Sequence, residues 1–137
     1  TAEGLSKAEE LFDEAGALKY VHLKVSGPFH SPLLEEAGRE LEKALAPYTF
    51  NDPIKTVYGN ASGTRIRSGE EAKQLLVQQM VSPVRWVEEE EKVLEDKFER
   101  ILEVGPGKVL TGLWKSFYKE LRCTPAGTVE AIEKLSV

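Results

Sequence analysis

Val25-Ser26-Gly27-Pro28-Phe29-His30-Ser31-Pro32-Leu33 is the stretch that governs how the rest of the chain is read. Just before it, Val21, Leu23 and Val25 alternate with Tyr20, His22 and Lys24, the period of a half-buried strand. Gly27-Pro28 breaks that strand. Ser31 then offers a helix N-cap, and Pro32 suits the first helical position. Leu33, Leu34, Ala37, Leu41, Ala44 and Leu45 form an apolar helical stripe that Pro47 ends. His30 therefore falls in a strand-to-helix loop, where α/β sheets display reactive groups. The positive end of the following helix disfavours an imidazolium, so a neutral ring can take a proton from a hydroxyl or thiol. The same pattern also fits a packing or surface histidine beside a turn.

Upstream, Leu5, Ala8, Leu11, Phe12 and Ala15 recur at helical spacing, with Gly16 as the stop. Downstream, Asn51-Asp52-Pro53 and Asn60-Ala61-Ser62-Gly63 are turn clusters, with a strand over Thr56–Tyr58 between them. Ser68 and Glu71 make a capping box that opens a helix burying Ala72, Leu75, Leu76 and Met80. Ser82-Pro83 restarts the chain as a helix carrying Val84, Val87 and Leu94. Arg100–Val104 reads as a buried strand, and Gly105-Pro106-Gly107 as a tight turn. The next helix carries Val109, Leu110, Leu113, Trp114 and Phe117 on one side, and a last one runs from Thr128 to Leu135. Alternating strands and helices predict an α/β layered fold.

With 137 residues the chain fits one domain better than two. Apolar residues at 41% and charged residues at 30% exclude collagen, low-complexity disorder and a disulfide scaffold. The lone Cys123 cannot pair within the chain and is compatible with a reducing compartment, so the expectation is a cytoplasmic protein. No apolar run approaches the roughly 20 residues of a membrane helix, and no signal peptide is visible. A net charge of −5 argues against a nucleic-acid partner. The chain opens on Thr1 and its only methionine is Met80, the mark expected of a piece of a longer protein.

Other residues have side chains capable of chemistry. His22 falls on the polar side of its strand and is expected to be exposed without a role. His22, His30 and Cys123 lack the spacing of a zinc site, so no metal is expected. Gln79 lies on the apolar face of the Ser68 helix; it either lines a polar pocket or satisfies a backbone group. Gly107-Lys108 imitates a phosphate loop, but Leu102 stands where the first glycine belongs and Val109 follows the lysine. Lys108, Lys115, Lys119 and Arg122 are spaced for one helical stripe. Such a stripe suits an acidic partner, the phosphates of a large cofactor, or simply solvent. Glu88 to Glu91 reads as a solvated face with Glu91 the one to turn inward. No Gly-x-Ser-x-Gly elbow exists, and Ser31 and Cys123 lack its context.

The stretch around His30 resembles the histidine segment of malonyl-CoA:acyl carrier protein transacylases. Three more matches follow in the expected order. Phe50-Asn51-Asp52-Pro53 resembles the family's segment before its next strand. Leu76-Val77-Gln78-Gln79-Met80 with Ser82-Pro83-Val84-Arg85-Trp86 resembles its helix-loop-helix segment. Glu103-Val104-Gly105-Pro106-Gly107-Lys108-Val109-Leu110-Thr111-Gly112-Leu113 resembles its C-terminal signature. The likeness runs from about Leu5 to about Leu135.

The resemblance implies transfer of a malonyl group from coenzyme A to acyl carrier protein through a serine ester, with no cofactor beyond the thioester substrate. It implies that His30 activates the serine and then the incoming thiol, oriented by a backbone carbonyl. Gln79 matches a glutamine near that histidine, and Asn60 falls where an asparagine often stands in the active-site wall. Phe29 resembles the malonyl-selective members; a ring leaves little room for a branched acyl group, though one methyl decides only a few kcal/mol. The serine elbow, oxyanion-hole glutamine and malonate-binding arginine match nothing in this chain. They are expected in a missing N-terminal part of the same enzyme, and the isolated chain is expected to be inactive. Residues 1–26 would be the last helix and strand of a ferredoxin-like small subdomain, and 27–137 the C-terminal part of the larger α/β-hydrolase-like subdomain. Two rivals remain: an acyltransferase domain of a polyketide or multifunctional synthase, and a non-catalytic acyl-carrier-binding module using the basic stripe.

Overall fold

Ser68 and Glu71 do what their spacing predicts. In the computed structural model, which describes residues 1–136, the Ser68 hydroxyl accepts from the Glu71 N–H at 3.1 Å. The Glu71 carboxylate reaches back one residue further than the usual box and accepts from the Arg67 N–H at 2.6 Å. Such caps stabilise a helix by about 1 kcal/mol. The start is also held from outside, because Asp52 accepts from the Gly69 N–H at 2.9 Å. A Cβ on Gly69 would lie 1.9 Å from the Phe50 carbonyl oxygen, so only glycine permits this approach. The Phe50–Pro53 turn cluster is thus tied to a helix end.

The elements in order are α1 (Ala2–Glu14), a 3₁₀ turn (Pro32–Leu34), α2 (Glu35–Leu45), β1 (Tyr58–Gly59), β2 (Thr64–Arg65), α3 (Gly69–Gln79), α4 (Trp86–Glu95), β3 (Ile101–Glu103), α5 (Val109–Phe117), β4 (Cys123–Pro125), α6 (Val129–Glu133) and a closing 3₁₀ turn (Lys134–Ser136). The architecture is mixed α/β, as expected. β1 and β2 form a small antiparallel hairpin over the Asn60–Gly63 turn, pairing Tyr58 with Arg65 and Gly59 with Thr64. Asp96, at the end of α4, fastens the hairpin by accepting from the Tyr58 hydroxyl and pairing with Arg65. β3 and β4 are parallel, Ile101 opposite Cys123 and Glu103 opposite Pro125, with α5 as the crossover. The turn into α5 uses positive φ at Gly105 (127°) and Gly107 (95°). α2 packs on α3 through Leu34, Gly38, Leu41 and Leu45, the inward positions of its stripe.

Several expectations fail. No ladder forms over Val21–Val25. Its three valine and leucine side chains are exposed, and the Val25 N–H bonds back to the Leu23 carbonyl at 3.0 Å, a γ-turn in place of extension. Alternation is only half of a strand; a neighbouring edge must supply the ladder, and none does among the described residues. The helix expected from Ser31 begins as a single 3₁₀ turn, and the Ser31 hydroxyl donates to the Pro28 carbonyl at 2.7 Å without capping anything. Leu33, Ala37 and Ala44 face outward. α4 starts three residues after Pro83, so Val84 and Val87 are exposed while Trp86, Val93 and Leu94 turn in. Leu76 is exposed, and on α5 only Trp114 is buried.

The exposed side chains among these misses belong to a wider excess of surface. The accessible surface is 11042 Å². A monomeric globule of 15.2 kDa exposes about 7,100 Å² by the usual size scaling. Among the described residues the fully buried apolar set is Ala61, Trp114 and Ala126. The apolar stripes are real in the sequence, and much of their surface stays uncovered among the described residues.

Candidate active site

His30 stands at the end of the Gly27–Phe29 turn with φ at 59°, in the left-handed region that favours glycine and is uncommon for other residues, though less so for Asn, Asp and His. That backbone aims its ring across to the end of α3. Its Nδ1 lies 3.0 Å from the main-chain carbonyl oxygen of Gln79 and 3.1 Å from the Gln79 side-chain amide nitrogen. The amide nitrogen also donates to the Ser82 carbonyl at 3.2 Å. A carbonyl can only accept, so the arrangement that satisfies every group has Nδ1–H donating to Gln79 O. Nε2 is then the basic nitrogen. It makes no hydrogen bond among the described residues, and the residue is exposed. The geometry yields an oriented imidazole with its base edge presented outward, able to accept a proton from a group brought to it.

Of the two alternatives the Gln79 side chain meets the second, satisfying the Ser82 carbonyl, while the residue's main-chain carbonyl holds the histidine. The helix argument for His30 fails, because α2 starts at Glu35 with one 3₁₀ turn between. The Gln79 carbonyl orients the ring instead. Phe29 is exposed, and its ring lies over Gly27, where a Cβ would stand 3.5 Å away. Asn60 is exposed in the hairpin turn; its carbonyl accepts from the Arg85 N–H at 2.8 Å, and no hydrogen bond joins it to His30 among the described residues. His22 is exposed as expected, but its Nε2 lies 3.0 Å from Glu9.

The four cations do not form one stripe. Lys108 is the N-cap of α5, Lys115 lies within it, and the helix ends at Phe117, before Lys119 and Arg122. No group of three or more metal-ligating side chains occurs among the described residues.

Three carboxyls missed in the sequence, Glu89, Glu90 and Glu103, line a cavity of about 110 Å³ between α4, β3 and α5. Glu103, at the end of β3, accepts from the Leu110 N–H at 3.0 Å, the Thr111 N–H at 2.8 Å and the Thr111 hydroxyl at 2.6 Å. The Thr111 hydroxyl, seconded by these amides, holds its pKa below the ordinary carboxylate value. Glu90 is 1% exposed, and neither carboxyl oxygen has a partner among the described residues. Burial pushes its pKa up. The Trp86 indole lies near enough to favour the anion slightly, though without hydrogen-bond geometry. Glu89 is raised too, by burial and then by the charge of Glu90. Glu91, expected inside, is exposed. A strand-end acid before a glycine turn, ahead of a helix whose N-cap is a lysine, was a usable signal for Glu103. The uniform Glu88–Glu91 run held no signal for Glu90.

Malonyl CoA-acyl carrier protein transacylase of Bacillus subtilis is 36% identical over 133 residues, which is 97% of this chain and 42% of that protein. The solved transacylase of Streptococcus pneumoniae superposes with a TM-score of 0.88 at 35% identity, over 96% of this chain and 43% of its own. The chain is homologous to the malonyl-CoA:acyl carrier protein transacylases. A malonyl-transacylase solved in complex with its type II polyketide acyl-carrier protein is similar as well, with a TM-score of 0.88 and 33% identity over 98% of this chain and 44% of its own. No protein-family model matches the chain. It spans less than half the length of the curated transacylases it resembles.

Proposed function

We propose that this chain is the C-terminal portion of a malonyl-CoA:acyl carrier protein transacylase and supplies its general base, His30. The observation that carries this is the His30 Nδ1 to Gln79 carbonyl contact of 3.0 Å, which leaves Nε2 as the proton acceptor. In the first half-reaction Nε2 takes the proton of a serine hydroxyl contributed by the rest of the enzyme. The serine oxygen attacks the malonyl thioester carbonyl, and coenzyme A leaves with the proton that His30 returns. In the second half-reaction Nε2 takes the proton of the carrier's phosphopantetheine thiol. The sulfur attacks the serine ester, and the serine oxygen leaves reprotonated. No cofactor is needed for either step. Gln79 positions the imidazole, Phe29 narrows the acyl pocket, and Asn60 belongs to its wall.

The exposed apolar surface supports a completing polypeptide. In this reading residues 1–26 end a ferredoxin-like subdomain, and 27–137 continue an α/β-hydrolase-like one. No described helix is long and apolar enough to cross a membrane, and a cytoplasmic enzyme acting on acyl carrier protein fits that. The polyketide reading keeps the same chemistry and is favoured by the similarity to a transacylase solved with a polyketide carrier.

The test is His30→Ala in the full-length enzyme, with malonylation of the serine read by intact mass. A loss of about 10²–10⁴-fold in acylation rate is expected for removal of a general base. Acylation near the unmutated rate would remove His30 from the mechanism. The chain alone should form no malonyl adduct.

A further inference from the structure

α5 ends at Phe117 because Tyr118 turns extended (φ −125°, ψ 120°) and because Trp114 reaches past the helix end, its indole N–H donating to the Leu121 carbonyl at 2.7 Å. That clamp folds residues 118–122 back toward the helix. What spacing predicted as a stripe becomes a hollow of about 500 Å³, lined by Thr111, Trp114, Lys115, Tyr118, Lys119, Arg122 and Cys123. Three cations and no carboxylate line it, in a protein whose net charge is −5. None of the three has an ion-pair partner among the described residues. Glu90 and Glu91 act on Tyr118, whose pKa they and burial raise, but neither lines the hollow.

We propose that this hollow binds a phosphate-bearing small molecule. Like charges around one hollow repel one another when it is empty, and a ligand carrying two or more negative charges relieves that repulsion. The volume lies within the roughly 300–1,000 Å³ of small-molecule sites. Concavity favours such a ligand over an acidic protein, which would meet basic side chains on a broader, flatter face. Arg122 supplies a planar fork for two phosphate oxygens, and Lys115 and Lys119 supply point charges. Tyr118 and Trp114, with ring centroids 5.1 Å apart, give the hollow an aromatic wall. The site shares no lining residue with the His30–Gln79 pair and does not depend on the acyl-transfer reading.

Calorimetric titration of the full-length protein with adenosine 3′,5′-bisphosphate, inorganic pyrophosphate and adenosine tests this. The bisphosphate should bind, and adenosine should not. Lys119→Gln with Arg122→Gln should weaken bisphosphate binding at least tenfold, whereas Lys55→Gln, outside the hollow, should leave it unchanged. Unaltered melting temperatures show that the variants fold. Competition by pyrophosphate at similar concentration assigns recognition to the phosphates alone, and a clear preference for the bisphosphate adds the aromatic wall; both support the proposal. Absent bisphosphate binding, equal binding of adenosine, or an unaffected double variant overturns it. Binding of a polyglutamate peptide without binding of bisphosphate overturns it in favour of an acidic protein. His30→Ala should abolish malonylation yet leave the titration intact, so the two readings fail separately.

Discussion

Glu103 gives its carboxylate to two amide N–H groups and a hydroxyl, while Glu90, lining the same small cavity from α4, gives its to none. Both are glutamates and both are buried, one on a helix and one on a strand. Glu103 caps α5, whose own N-cap Lys108 provides no side-chain bond, and it thereby ties β3 to the helix that crosses over to β4. Glu90 occupies a place where an apolar side chain would serve better. Burial of a polar group costs free energy, and what the group meets there decides whether that cost is offset.

Three substitutions or conditions bear on that contrast, here from the strongest expected effect to the weakest. Glu103→Ala should lower the thermal midpoint of the full-length protein by several degrees, because three donors lose their acceptor together. An unchanged midpoint would make the two glutamates equivalent. Glu90→Leu should raise stability by about 1–3 kcal/mol, the usual penalty of an unsatisfied buried group, in denaturant titration. A loss of stability there would mean that Glu90 has a partner in the complete protein. The pH profiles should diverge more gently. The lowered pKa of Glu103 gives stability that is present above the ordinary carboxylate value and lost as pH falls through the lowered one. The raised pKa of Glu90 gives stability present below the ordinary value and lost as pH rises through the raised one. Glu90→Gln should therefore gain on the parent protein as pH rises above the ordinary carboxylate value, whereas Glu103→Gln should fall behind as pH rises toward that value and keep a constant deficit above it. Parallel curves would contradict both assignments.

How much of this was legible follows from which forces are local. Ser68 and Glu71 are three residues apart and settle their helix end between themselves, as Gly105-Pro106-Gly107 settles its turn. Gln79 was placed beside the apolar face by spacing alone, but its carbonyl meets His30 from 49 residues away, which no periodicity encodes. Val21–Val25 carries a strand's pattern and lacks an edge to pair with. The basic stripe failed because the signal that ends α5 is a tryptophan reaching ahead to Leu121, with no glycine or proline at position 118. Among four consecutive glutamates, only the packing of α4 against β3 and α5 selects which one is enclosed.

The left-handed twist at His30 has an evolutionary corollary. An L side chain pays roughly 1–2 kcal/mol to sit in that conformation, and glycine would not. Position 30 is thus held against its own conformational preference. In a lineage freed from selection for acyl transfer, a glycine there should spread early, and such a replacement would mark a silenced descendant more clearly than decay elsewhere in the chain.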